Sequence, residues 1–214
     1  DLLLSSNFEF SKLLWRYATN NSIPFVYASS AAVYGNGENG YNDSDELTQK
    51  LNPLNAYGWS KLLFDKWVLK ENKLKNSPPI WAGLRFFNVY GPREKHKGEM
   101  RSLVTKSFDN IKDTNTVISL FKSYKSEYKD GDQKRDFVYV KDCIEIIEWF
   151  NNGYGQNGIF NVGSGKASTW NSLASNVYRC MGIQSNIKYI EIPNNIKDRY
   201  QYFTEADISK LESS

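Results

Sequence analysis

Tyr57 and Lys61 stand four residues apart in the stretch NAYGWSKLLF (55–64), a spacing that on a helix places both side chains on one face, a turn apart. Two readings are open: an ordinary pair on the flank of an amphipathic helix, or a pair that moves a proton. Of the 14 tyrosines only Tyr57 has a lysine four positions on, a coincidence this composition can produce by chance. The chemical case rests on energy. A free phenol ionises near ~10 and each unit of depression corresponds to ~1.4 kcal/mol, so a base working near neutral pH needs ~4 kcal/mol of anion stabilisation. A lysine within ~4–6 Å supplies ~1–3 units, and a cationic nicotinamide ring alongside would add to it. With a serine hydroxyl to hold the substrate oxygen, Ser30, Tyr57 and Lys61 form a proton-transfer set if they converge on such a cofactor.

These residues need a scaffold. Residues 8–19 (FEFSKLLWRYAT) carry apolar side chains at helical spacing, and 23–30 (IPFVYASS) read as a short buried strand. Residues 55–70 form a helix capped by Asn55, with Leu62, Leu63, Trp67 and Val68 available to the core. A second buried strand, 80–92 (IWAGLRFFNVYGP), ends in a Gly-Pro turn. Further strands are expected at 116–121, 136–140, 158–165 and 187–193, further helices at 141–152 and 169–182, and a charged loop at 122–135. Helices between short apolar strands predict an α/β fold with a largely parallel sheet. Trp15, Trp67, Trp149 and Trp170 are expected to fill the core or an interface.

A chain of 214 residues fits one domain, or one domain with a lobe. Its 40% hydrophobic and 24% charged residues describe a soluble globular protein, and no apolar run approaches the ~18–20 residues of a membrane span. A net charge of +3 argues against nucleic acid as a partner. Two cysteines, Cys143 and Cys180, and one histidine, His96, give no basis for a disulfide framework or a zinc site. With no signal peptide in view, a cytoplasmic location is expected. Asp1 is not a natural start, so the chain is expected to be part of a longer one.

In open parallel sheets, ligands bind beyond the carboxyl ends of the strands. Three such ends carry polar residues: Ser29 and Ser30, Asn88, and Asn161. The Gly-rich phosphate turn of a dinucleotide fold is absent. GNGENG (35–40) follows a polar stretch and runs into YNDSDE, no helix start, so it reads as a surface loop. GSGKAS (163–168) lacks the Gly-Lys-Ser/Thr ending of a phosphate loop.

Four stretches together resemble the extended short-chain dehydrogenase/reductases, the sugar-nucleotide epimerases and dehydratases: YASSAAVYG (27–35), NPLNAYGWSK (52–61), LRFFNVYGPRE (84–94) and RDFVYVKD (135–142). They occur in family order at near-family spacing, which favours the catalytic reading of Tyr57–Lys61. The resemblance implies a Rossmann-like doubly wound parallel sheet with a smaller substrate-binding lobe. The cofactor part would comprise 1–88 and 136–165, and the lobe 89–135 and 166–214. It also implies NADP or NAD as cofactor, a nucleotide-sugar substrate, no membrane partner and a homo-oligomer. Dehydratases of the family place an acidic pair after the active-site Ser or Thr; here Ala31 and Ala32 follow Ser30, which favours epimerisation. GPREKHKGEMRS (91–102) and RYQYFTEADISKL (199–211) resemble a branch that inverts C6 of the ADP-heptose used for lipopolysaccharide.

That branch implies residue roles. Tyr57 and Lys97 would be the acid/base groups on opposite faces of the sugar carbon, Lys61 would bind the nicotinamide ribose, and Ser30 the reacting oxygen. Ser29 and Val89 would contact the cofactor and Asn88 the substrate. Glu99, Lys106, Phe121, Lys122, Ser123, Tyr124, Arg135 and Tyr200 match positions that contact the nucleotide sugar. An arginine suits a pyrophosphate by charge and fork geometry. Three departures stand out: Glu99 replaces a small serine, Lys106 replaces a histidine, and FKSY (121–124) replaces a more acidic, Gly-containing loop.

Family members begin with a β–Gly-rich turn–α unit, and two βαβ units would have to precede residue 1. The piece alone is therefore expected to bind NADP poorly, to be inactive and to aggregate, and a short segment after Ser214 is expected as well. Two other functions stay open: a non-catalytic cofactor-binding relative, and a UDP-sugar 4-epimerase or reductase of the same superfamily.

Overall fold

A computed structural model of the chain describes residues 2–112, 116–197 and 200–214; Asp1, and Arg199 of the last motif, lie outside them. Helix α1 (Leu2–Leu4) runs through a π-type segment, Ser5–Glu9, into α2 (Phe10–Asn20). Strand β1 (Phe25–Ser30) ends in a 3-10 turn, Ala31–Tyr34, followed by α3 (Asp45–Lys50) and α4 (Ala56–Lys73). Next come β2 (Trp81–Phe86), β3 (Asn88–Tyr90), a 3-10 segment Lys95–Met100, α5 (Leu103–Lys112), β4 (Ile118–Phe121) and β5 (Lys134–Tyr139). The chain continues through α6 (Val140–Asn151), β6 (Gly158–Val162), β7 (Ala167–Thr169), α7 (Trp170–Met181), β8 (Ile187–Ile190), α8 (Asn194–Lys197) and α9 (Ser209–Glu212).

Strands β1, β2 and β6 form a parallel sheet in that order, with Ser30 level with Phe86 and Phe86 level with Val162. Alternation along β2 and β6 feeds both faces. Trp81 and Ile159 point to one side, where Trp15 of α2 and Phe64, Val68 and Leu69 of α4 pack on them. Ala82, Leu84, Phe160 and Val162 point to the other, against Cys143 and Phe150 of α6. Apolar residues on successive positions are what a sheet covered by helices on both faces requires. The architecture is the expected Rossmann-like α/β layering.

A single strand over 80–92 does not form. Phe87 is buried, its N–H reaches Val162 O at 3.0 Å, and Val89 N turns back to Phe87 O at 3.0 Å. The side chain of Phe87 packs with Val33, Tyr34 and Leu62, and the chain leaves the first sheet there. Beyond it, β3 pairs in parallel with β5, which also pairs antiparallel with β7. Strands β4 and β8 pair in parallel, and Ile118 and Leu120 pack with Ile111 of α5 and with Ala174 and Tyr178 of α7 in a small core of their own. Helix α5 had no counterpart in the elements expected from the sequence.

Candidate active site

Helix α4 starts at Asn55, whose side-chain oxygen accepts the Gly58 N–H at 2.8 Å. Gly58 lets this end approach the 31–34 turn that follows β1: a Cβ there would lie 2.7 Å from the Ala32 carbonyl oxygen and 2.8 Å from Pro53 Cβ. Lys61 reaches back to β1 from this helix, and the partly exposed ring of Tyr57 lies a turn before it. Lys61 Nζ donates to Ala28 O at 3.0 Å and lies 5.8 Å from the centre of the Tyr57 ring. An ammonium has three N–H groups, so two remain for a ribose. Burial pulls the Lys61 pKa below its ordinary value, with Asp65 opposing. At the strand end, Ser30 caps the 3-10 turn by accepting the Ala32 N–H at 3.2 Å.

Ser29 lies elsewhere. Its side chain is buried and donates to Asp65 Oδ2 at 3.0 Å, so its hydroxyl is committed to the core. Asp65 also accepts from Tyr27 OH at 3.0 Å and from Arg85 Nε at 2.9 Å. Arg85, fully buried, spends its other nitrogens on Tyr34 OH at 3.0 Å and Thr48 Oγ1 at 2.9 Å. Burial pushes the Tyr34 hydroxyl up to about 12. Asn161 joins this layer by accepting from Tyr34 OH at 2.7 Å, and its amide holds Tyr41 O and Asp207 O at 2.7 and 3.0 Å. The polar residue at this third strand end fastens two loops.

Asn88 and Val89 stand on β3 beside Phe137 and Val138 of β5. The chain then enters the turn that carries Lys97, where Arg93 has φ +68° and Gly98 φ +53°. Lys97 is partly exposed and its Nζ lies 3.5 Å from Glu94 Oε2. Sequence reasoning gave Glu94 no role, although it stands in the quoted motif.

Phe121, Arg135, Trp170 and Tyr200 come together. Phe121 and Tyr200 meet edge to face at 5.7 Å, and Trp170 Nε1 donates to Tyr200 OH at 3.1 Å. The Arg135 guanidinium lies 5.4 Å from the Tyr200 ring centre and 5.8 Å from that of Trp170. It donates to the carbonyls of Lys134, at 2.8 Å, and Gln201. It is 6% exposed, yet forms no salt bridge with a carboxylate among the described residues. Asp136 is spent on the N–H groups of Ser164, Gly165 and Ala206, and Asp132 on Asn171. A buried guanidinium facing aromatic rings and no carboxylate suits an incoming anion.

The 121–124 loop is held from below: Ser123 N donates to Asp130 Oδ1 at 2.8 Å, Tyr124 N to Tyr202 OH at 2.9 Å and Tyr124 OH to Lys197 O at 2.5 Å. Lys122 pairs with Glu191 at 2.7 Å on the surface. The two departures at 99 and 106 face each other. Lys106 Nζ lies 3.3 Å from Glu99 Oε2 and donates to the Glu99 carbonyl. Both line a cavity of about 660 Å³ with Ser107 and Lys188, and Ser107 Oγ is buried there without a hydrogen-bond partner among the described residues. A larger, mainly apolar cavity of about 780 Å³ lies between Tyr90 and Lys95, α5 and α7, and holds none of the predicted site residues. The smaller cavity carries Glu99, Lys106 and Lys188 on its wall, and none of Ser30, Tyr57, Lys61 and Lys97 borders it.

Comparison with known proteins bears on this arrangement. The model of the NAD dependent epimerase/dehydratase family matches residues 1–163. An ADP-L-glycero-D-manno-heptose-6-epimerase of Fusobacterium nucleatum is 48% identical over 99% of this chain and 65% of its own length. One of Nitratidesulfovibrio vulgaris is 45% identical over 100% of this chain and 65% of its own. The crystal structure of the Helicobacter pylori ADP-L-glycero-D-manno-heptose-6-epimerase superposes with a TM-score of 0.77 at 31% identity, covering 97% of this chain and 58% of that one. A UDP-N-acetylglucosamine 4-epimerase of Methanobrevibacter ruminantium superposes with a TM-score of 0.80 at 25% identity, covering 96% of this chain and 61% of that one. The chain thus spans 65% of the length of the curated relatives it matches. A family model that covers three quarters of the chain, together with such relatives, settles the grouping: this chain belongs to the NAD dependent epimerase/dehydratase family.

Proposed function

We propose that the protein of which this sequence forms at least a part is an isomerase that converts ADP-D-glycero-D-manno-heptose to ADP-L-glycero-D-manno-heptose, serving lipopolysaccharide heptose synthesis in the cytoplasm. The observation that carries the reading is the retention of two amine-bearing motifs, Tyr57–Lys61 and the Lys97 turn, in a chain whose relatives at 45–48% identity bear that name. Overall shape does not choose between sugars, since a 4-epimerase superposes as well as a heptose epimerase. The level of sequence identity favours the heptose.

Inversion at a carbon needs a proton-handling group on each side, because one fixed group cannot serve both faces equally. In this reading Tyr57 and Lys97 are those groups, with Ser30 holding the reacting oxygen and Asn88 the sugar. Lys61 keeps its ammonium beside Tyr57 and offers its free N–H groups to the ribose of NADP or NAD, with Val89 lining the same end. The free donors and the half-buried setting of Lys61 fit that role; Ser29, bonded to Asp65, does not supply a contact from its hydroxyl. A bound nicotinamide supplies the oxidant that accepts and returns the C6 hydride. Arg135, Tyr200 and the Phe121, Lys122, Ser123 and Tyr124 loop would hold the nucleotide sugar, with Lys106 available to a phosphate.

The test is to incubate the full-length protein with ADP-D-glycero-D-manno-heptose and read C6 configuration by NMR. Inversion that is lost in both Tyr57→Phe and Lys97→Ala is expected. Turnover of UDP-galactose with none of ADP-heptose would replace the reading with the 4-epimerase.

We also propose a homo-oligomer. Helix α2 leaves Phe10, Leu13 and Tyr17 more than half exposed, and α4 leaves Trp59 and Leu63 exposed on the same side of the sheet. Exposed apolar side chains on two helices covering one face of the sheet favour a partner. Sedimentation of the full-length protein should give an assembly that Leu13→Glu with Leu63→Glu dissociates; an unaltered monomer in both would refute it.

A further inference from the structure

The 91–102 turn begins and ends on one carboxylate. Glu94 Oε1 accepts from Gly91 N at 3.3 Å, from Ser102 Oγ at 2.7 Å and from Thr105 Oγ1 at 3.0 Å. Glu94 Oε2 accepts from Ser102 N at 2.8 Å and stands 3.5 Å from Lys97 Nζ. The side chain is 6% exposed, whereas that of Lys97 is 43% exposed and has no other ion partner among the described residues. Between these anchors the backbone passes through two positive φ values, at Arg93 and at Gly98, the latter breaking the 3-10 segment Lys95–Met100 at its middle.

We infer that Glu94 is a positioning residue for Lys97: it ties the two ends of the turn together and aims the amine. The inference rests on the proposed role of Lys97. A long flexible lysine left free would sample many rotamers, and the proton transfer assigned to it needs one. Glu94 suits the task because four N–H or O–H donors converge on it, which leaves the carboxylate oriented and ionised. Those hydrogen bonds, against the opposing effect of burial, hold its carboxyl at about 2. Glutamine in its place would set its NH₂ group either against the Ser102 N–H and the Lys97 ammonium or against the Gly91 N–H, and in both orientations it lacks the negative charge that attracts Lys97. Aspartate would be one methylene short of the partners on both sides.

The experiment is a double-mutant cycle in the full-length protein, with Glu94→Gln, Lys97→Ala and the two combined, measuring kcat and KM for ADP-D-glycero-D-manno-heptose. If Glu94 acts through Lys97, Glu94→Gln lowers kcat by about 10²-fold with KM little changed. The combined variant is then no slower than Lys97→Ala alone. Should Glu94→Gln fail to fold, Ser102→Ala with Thr105→Val removes two donors and leaves the carboxylate; a smaller fall in kcat, again absent in the Lys97→Ala background, is expected. Losses that multiply, or a Glu94→Gln enzyme with unaltered kcat, would overturn the inference. Full activity in Lys97→Ala would instead remove the role of Lys97 itself, which separates the two failures.

Discussion

Lys61 Nζ hydrogen-bonds the Ala28 carbonyl at 3.0 Å while standing 5.8 Å from the centre of the Tyr57 ring, so β1 fixes the distance between the two members of the pair. Burial lowers the Lys61 pKa from 10.5, and Asp65 offsets part of that. In the proposed mechanism the ammonium supports a Tyr57 anion only while it is protonated. Activity of the full-length enzyme should therefore fall on the alkaline side, with an apparent pKa below 10.5. Lys61→Arg, which stays charged, should work more slowly but without that fall. A kcat–pH profile checks it; an identical alkaline limb in both proteins would exclude Lys61 as its source.

Gly58→Ala tests the close approach that seats Tyr57. Helix propensity alone favours alanine by about 1 kcal/mol. The added Cβ would meet backbone at 2.7 Å, so α4 must withdraw from the 31–34 turn. A net loss of about 1–3 kcal/mol in denaturant unfolding is expected, with a larger proportional loss in kcat than in thermal stability. A variant as stable and active as the parent would show that the helix end is not tightly seated.

The Asp65–Arg85 pair is 2.9 Å long and fully buried, and Tyr27, Ser29, Tyr34 and Thr48 supply its remaining hydrogen bonds. Arg85→Met leaves Asp65 charged and short of its cation, at a cost of about 3–5 kcal/mol. Replacing both by apolar residues of similar volume should cost less than the single change. Urea unfolding of the three variants measures the order, and a single variant milder than the double would contradict it.

Glu99 sits over Lys106 with its side chain 92% exposed, so the pair contributes little to folding. What it does is occupy the amine. Glu99→Ser should leave stability within about 0.5 kcal/mol and remove the ion pair while the bond to the residue-99 carbonyl stays; if Lys106 meets a substrate phosphate as proposed, KM falls by about 2- to 5-fold. A raised KM would mean that the carboxylate itself contacts the sugar.

Much of this was legible from local signals. The i, i+4 spacing of Tyr57 and Lys61, the Asn55 cap and the apolar runs of β1, β2 and β6 each depend on residues a few positions apart, and each forms its element, although β2 stops at Phe86 and β6 at Val162, short of the runs read as strands. Other assignments needed partners far along the chain. Ser29 and Ser30 are neighbours of the same type, yet strand alternation turns the first into the Asp65 network and leaves the second at the sheet end. Arg135 has Asp136 beside it and Asp132 nearby, but strand geometry and the 164–165 and 171 backbone and side chains take both carboxylates away.

The amino-acid sequence by itself determined which residue types are available for proton transfer and the helix and strands on which they ride, because those follow from steric and hydrophobic patterns of short range. Only the tertiary structure decided which hydroxyls, carboxylates and amines remain free for a ligand. A hydrogen bond or ion pair is claimed by whichever partner folding brings within about 3 Å, and for Ser29, Asn161, Lys106 and Glu94 at least one such partner lies seven or more residues away.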